Sequence, residues 1–232
     1  MENILLQYFD KPLKEKNASM PDGEGPVVTI SREFGCPSKQ IGILLTEALN
    51  KQSIQPRGAA KPRWKFINKE IIEEAARELK LLPSDMDYVL NSAEKGLFED
   101  VLVSFTKPYV SNLRLKRTLQ RVIRNVVSPG HIVLVGRGSS MILQGFPGAL
   151  HIRLQAPLGW RVEGIQKNRG ISTHEAVQLV HEIDQNRIRL MEFLLGKKFE
   201  SSLFDTIFNC ARLSNEEIVS SVLALMKLRQ MI

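Results

Sequence analysis

The residues best suited to chemistry lie between positions 27 and 42, where Arg32, Gly35, Cys36, Pro37, Ser38 and Lys39 separate two apolar patterns. The run Val27, Val28, Thr29, Ile30 is β-branched and reads as a strand over residues 26–31. Apolar spacing resumes at Ile41, Leu44, Leu45, Ala48 and Leu49 and predicts a helix over residues 38–50. A strand-loop-helix junction aims backbone N–H groups and the positive end of a helix dipole at the loop, which suits a phosphate group, and Lys39 adds a full charge. The glycine-rich form G-x-x-x-x-G-K-[ST] requires glycine at 33 and 38 and a hydroxyl residue at 40. Here those positions hold Glu33, Ser38 and Gln40, so only Lys39 fits, and a phosphate loop and an ordinary turn with a solvated lysine both stay open.

A second anion candidate is Arg137. It follows the most continuous apolar run, residues 131–135, inside Gly136-Arg137-Gly138. The run suits a strand buried on both faces of a parallel sheet, and open α/β sheets bind ligands in the loops beyond such strand ends. A basic stripe, Arg114, Arg117, Arg121 and Arg124, runs along a predicted amphipathic helix at 108–127. Nucleic acid phosphates could be tracked that way, but no aromatic residues interleave the arginines to stack on bases, and a solvated helix face is the preferred reading. His151 alternates with apolar neighbours and has no second ligand at metal spacing, so it reads as structural. Cys36 and Cys210 lie far apart in sequence without metal-type spacing, which fits free thiols in a reducing compartment.

Positioning these groups requires alternating elements. Further strands are expected at 64–67, 150–154 and 204–208, and helices at 69–81, 83–93, 97–107, 157–168 and 176–195. Ser172 with Glu175 and Ser214 with Glu217 form capping boxes, the second opening a final helix to about residue 229. Strands alternating with helices predict an α/β fold with a parallel sheet covered on both faces. Residues 1–25 read as an N-terminal extension with turns, and residues 51–63 as an exposed loop.

The chain has 232 residues, enough for one substantial core, and its 43% hydrophobic and 25% charged residues describe a globular protein. No apolar run approaches the roughly 20 residues that span a bilayer, so a cytoplasmic location without membrane contact is expected. The excess of 32 basic over 25 acidic residues gives +7, which attracts polyanions without choosing among them.

Taken in order, the loop at 27–42, Phe66-Ile67-Asn68, Gly136-Arg137-Gly138, Ala156-Pro157 with Arg161, and Asp184-x-x-Arg187 resemble the cytidylate-kinase-like family of P-loop nucleoside monophosphate kinases. The resemblance covers about residues 26–230. It implies a three-layer α/β/α core with a five-stranded parallel sheet and a small helical lid at about 165–195, all in one domain over residues 26–232. The implied activity moves the γ-phosphoryl group of ATP to a nucleoside monophosphate, CMP first among them, with Mg²⁺.

Carried over by position, Arg32, Gly35, Cys36, Ser38, Lys39 and Gln40 would hold the donor phosphates. Asn68, Arg137 and Arg161 would face the monophosphate. Arg187 would reach the transferring phosphoryl group, with Asp184 holding that arginine or its neighbour, and Lys39 would complete the catalytic set. The resemblance names no metal ligand. Phosphoryl transfer relies on positioning and positive charge rather than covalent chemistry, which accounts for a site built from arginines. The loop departs from the family's Gly-Ser-Gly-Gly: Pro37 supplies no N–H, and Asn68 stands where an aspartate is usual. Losing one hydrogen bond to a charged group costs roughly 1.5–3 kcal/mol. These departures support an alternative, a pseudokinase that binds a nucleotide or phosphorylated ligand as a sensor.

Overall fold

The computed structural model describes residues 25–52, 62–68 and 112–232. Five strands are defined: β1 (Val27–Arg32), β2 (Lys65–Ile67), β3 (Ile132–Val135), β4 (Ala149–Gln155) and β5 (Thr206–Asn209). The helices are α1 (Ser38–Gln52), α2 (Asn112–Val127), α3 (Ser139–Ile142), α4 (Leu158–Arg169), α5 (Thr173–Leu195) and α6 (Asn215–Leu228). All pairings are parallel, in the order β2-β3-β1-β4-β5. The fold is therefore the expected three-layer α/β/α arrangement around a five-stranded parallel sheet. The expected extension at 1–25, most of the 51–63 loop, the three helices between 69 and 107, and the start of the 108–127 helix lie outside the described residues.

Strand alternation divides the core in two. Val28, Ile30, Val133, Val135, Leu150, Ile152 and Leu154 point to the layer formed by α1 and α6, where Ile41, Leu45, Ile218 and Val222 meet them. Val27, Ile132 and Leu134 point to the opposite layer, against Leu119, Ile123, Met141 and Leu194. The strand at 132–135 is buried on both faces, as its unbroken apolar composition requires. A third cluster, Val162, Ile165, Ala176 and Val180, joins α4 to α5.

Both capping boxes form: Ser172 caps α5 and Ser214 caps α6, each with its glutamate returning to the cap N–H. Two strand starts differ from expectation. His131 takes φ 55° and donates its N–H to the Pro26 carbonyl, so β3 begins one residue later. Residues 201–203 wind a 3₁₀ turn, and the Phe204 ring packs under Arg153, which delays β5 to Thr206.

His151 is buried, and its Nδ1 lies 2.7 Å from the Thr29 hydroxyl, consistent with a structural role. Burial lowers its pKa below the ordinary 6.5, and burial does the same for His131. The unfolded chain therefore binds protons near pH 6.5 that the fold refuses, so stability is lost as pH falls through that window. Urea midpoints measured from pH 7 to 5 should decline with a slope of up to about 1.4 kcal/mol per unit per histidine. His151→Gln should flatten the decline.

Candidate active site

The carboxyl ends of β1, β3 and β4 converge, and the loops that leave them carry the charged groups. Beyond β1, Glu33 donates its N–H to the Leu154 carbonyl of β4, which carries the chain across the sheet end before α1 begins. Gly35 turns the loop at φ 93°, where a side chain's Cβ would sit 3.1 Å from Arg161 Cβ. Glycine is the residue that takes this conformation at little cost.

Within the loop most amide hydrogens are already engaged. Phe34 donates to Asp184 Oδ1 at 2.7 Å, Cys36 to the Glu33 carbonyl at 3.3 Å and Ser38 to the Cys36 carbonyl at 2.8 Å, while Pro37 has none to give. Among the described residues, Gly35, Lys39 and Gln40 keep N–H groups without a backbone partner. Lys39 and Gln40 are exposed in the first turn of α1, with Ser38 buried behind them. The Pro37 carbonyl accepts from Ile41 and so starts the helix.

Asp184, on α5, is the centre of a brace. Its Oδ2 lies 2.5 Å from Arg161 NH1, and its Oδ1 lies 3.9 Å from Arg187 NH1. Arg161, buried on α4, also donates to the Phe34 carbonyl at 3.1 Å and to the Ala156 carbonyl at 2.9 Å. Its guanidinium is thus held by the loop and α5 together. Glu33 joins the same group: Oε2 accepts from the Ala156 N–H at 3.1 Å and lies 3.4 Å from Arg161 Nε, and Oε1 lies 3.8 Å from Arg153. Glu33, Phe34 and Arg153 were not singled out from sequence. The Phe34 ring lies beneath the guanidinium groups of Arg169 and Arg187, and Arg153 lies over Phe199 and Phe204.

Arg32 is different. No carboxylate pairs with its guanidinium among the described residues, and it lies so close to Gly136 that a Cβ there would collide with it. Burial first, then repulsion from Arg187 and Arg137, pushes its pKa down to about 9, and burial likewise brings Arg187 down to about 10. Both groups remain cations at neutral pH. Arg187 donates to the Arg32 carbonyl at 3.2 Å, tying α5 to the end of β1. Arg137 is buried at φ 57° between two glycines that are also left-handed. For a residue with a side chain that conformation costs roughly 1–3 kcal/mol, a strain characteristic of functional loops. Like charges gathered in a desolvated pocket are stabilised by an anion, and a phosphate supplies the oxygens for forked contacts.

The structure therefore brings together Arg32, Gly35, Cys36, Arg137, Arg161, Asp184 and Arg187. Asn68 lies half-buried just beyond β2, which β3 separates from β1. No group of three His, Cys, Asp or Glu side chains that could hold a metal occurs among the described residues, and Gln40 and Asn68 offer only neutral amide oxygens. Among the described residues the arrangement fits a polyanion and supplies no acidic cage for a cation. No helix among the described residues is long and apolar enough to cross a membrane.

Removing the Arg32 cation should separate stability from binding. Arg32→Met is expected to raise the melting temperature of the ligand-free protein by 2–4 °C, corresponding to about 1 kcal/mol. It should also abolish the stabilisation given by phosphate-bearing ligands, and thermal denaturation with and without ATP checks both parts.

Comparison with known proteins agrees with the order of these motifs. The model of the Cytidylate kinase-like family matches residues 27–212. A cytidylate kinase from Pyrococcus horikoshii is 27% identical over 176 residues, covering 75% of this chain and 88% of that protein. A uronate isomerase from Corynebacterium glutamicum is 27% identical over 134 residues, 57% of this chain, but the match spans only 26% of that protein's length. Among solved structures, an uncharacterized protein from Eubacterium ventriosum superposes with a TM-score of 0.58 at 15% identity, covering 87% of this chain and 98% of its own. With its parallel sheet, its loop beyond β1 and a family match over most of its length, the chain belongs to the cytidylate kinase-like family.

Proposed function

We propose that the protein is a nucleoside monophosphate kinase that transfers the γ-phosphoryl group of ATP to CMP or a related monophosphate in the cytoplasm. The observation that carries this reading is the Arg32, Arg137, Arg187 group at the sheet end, in which Arg32 has repelling cations for neighbours and, among the described residues, no carboxylate partner. Phosphates of both nucleotides would relieve that repulsion. Arg32 and the Gly35, Lys39 and Gln40 N–H groups hold the donor, with Cys36 and Ser38 shaping the loop, and Lys39 adds its charge from the helix start. Arg137 and Asn68 face the acceptor. Arg187 aligns the group in transfer, and Asp184 keeps Arg187 and Arg161 at their stations. The α4–α5 pair acts as the lid, whose closure excludes water. Mg²⁺ needs few protein ligands when it arrives on nucleotide phosphates, and its charge would offset theirs.

A second reading, nucleotide binding without transfer, is favoured by the engaged N–H groups of Phe34, Cys36 and Ser38 and by Pro37. Thermal denaturation with ATP and with each monophosphate, run beside an ADP-release assay, separates the two. A ligand at 100 times its dissociation constant should stabilise by about 2.7 kcal/mol. Stabilisation with ADP release supports the kinase, stabilisation alone supports the binding module, and neither result contradicts both.

A further inference from the structure

Cys36 and Cys210 are separated by most of the chain, yet the fold brings their side chains together. The ends of β1 and β5 both pair with the end of β4: Arg32 stands opposite Leu154 and Asn209 opposite Gln155. Glu33 then donates to Leu154 and Cys210 to Gln155, so both loops leave the sheet beside the same residues. Cys36 packs against the apolar cluster that contains Cys210. Both are free thiols.

We propose that Cys36 and Cys210 form a redox pair that a hydroperoxide closes to a disulfide, locking the phosphate loop in its internally hydrogen-bonded form. The site that is locked is the one read above as the nucleotide site, so the effect on ligand rests on that reading, whereas the cross-link does not.

The Cys36 thiol beside it holds the pKa of Cys210 below the ordinary thiol range, and the thiolate is the reactive form. The Cys210 sulfur attacks one peroxide oxygen and the O–O bond breaks, leaving a sulfenic acid and hydroxide. The Cys36 sulfur then attacks the Cys210 sulfur. Its S–O bond breaks, and the departing hydroxide takes the Cys36 proton as water. Two thiols are oxidised by two electrons, and hydrogen peroxide is reduced to two waters. Burial of Cys210 suits a small oxidant and disfavours bulky disulfides.

The bridge would fix Cys36, whose carbonyl accepts from Ser38 and whose N–H serves Glu33. A phosphate needs those N–H groups turned toward it. Holding them in place should weaken ATP binding about tenfold, the worth of one charge-assisted hydrogen bond.

The test uses the full chain, reduced and then exposed to hydrogen peroxide in slight molar excess, with non-reducing peptide mass mapping and ATP affinity read on the same samples. Expected are a peptide joining Cys36 to Cys210 that is lighter by two hydrogens, an affinity loss of about tenfold, and recovery of both with dithiothreitol. Cys210→Ser should bind ATP as the reduced parent does and keep that affinity after peroxide. Cys36→Ser, read by mass alone, should also fail to cross-link. Separate sulfinic acids without the bridge, a bridge between chains only, or a bridge that leaves ATP affinity unchanged would each overturn the proposal. If the reduced protein binds no nucleotide, the kinase reading fails, and the mass map still decides whether the pair closes.

Discussion

Arg187→Ala is expected to lower phosphoryl transfer about 10³-fold, the scale of an arginine that faces the transferring group. The guanidinium is desolvated, sits over the Phe34 ring and bonds the carbonyl of Arg32, so it is already held at the sheet end before any ligand arrives. Little positional entropy then remains to be lost on reaching the transition state, and the charge acts where water is scarce. The loss should fall on kcat, with ATP binding reduced far less, because Arg32 and the free loop amides remain. Arg187→Lys should recover little, since a lysine cannot make the forked contact. Steady-state kinetics of ADP release, with ATP affinity from thermal denaturation, checks the division.

Asp184→Ala should do more damage to the fold than to any single contact with ligand. The carboxylate accepts from the Phe34 N–H and pairs with buried Arg161, so its loss leaves a buried cation without its nearest partner and frees the loop. Breaking such a pair costs about 3 kcal/mol, which for a chain of this size lowers the melting temperature by roughly 6–12 °C. Asp184→Asn keeps an acceptor for Phe34 but drops the charge, and should lose about half as much. Differential scanning calorimetry of the three proteins measures the series. A loss in Asp184→Ala no larger than that of an exposed glutamate such as Glu182 would mean that the brace carries no stability.

The layered fold was legible because its signals are local. The β-branched start of β1, the unbroken apolar run of β3 and the two serine-glutamate capping boxes all follow from neighbouring residues. Phe204 shows where local reading stops: its apolar character suggested strand, but the cationic face of Arg153, distant in sequence, holds it outside β5. Glu33 was passed over for the same reason. As a lone acid beside a loop it reads as a misfit to a phosphate motif, and only the convergence of Arg153, Arg161 and the Ala156 N–H gives it a use. Arg161 is expected as a ligand contact from its place in the family pattern, and the structure adds that its Nε and NH1 also brace the loop, α5 and the β4 end. The nearness of Cys36 to Cys210 depends on strand order, which no spacing in the chain encodes.

The most direct measurement is an ADP-release assay on the reduced full chain with ATP, Mg²⁺ and CMP, with Arg187→Ala as the control. The account predicts CDP and ADP in equal amounts from the parent protein and about 10³-fold less from the variant. Equal rates from the two proteins, or no product with CMP or any other monophosphate while ATP still stabilises the fold, would contradict it.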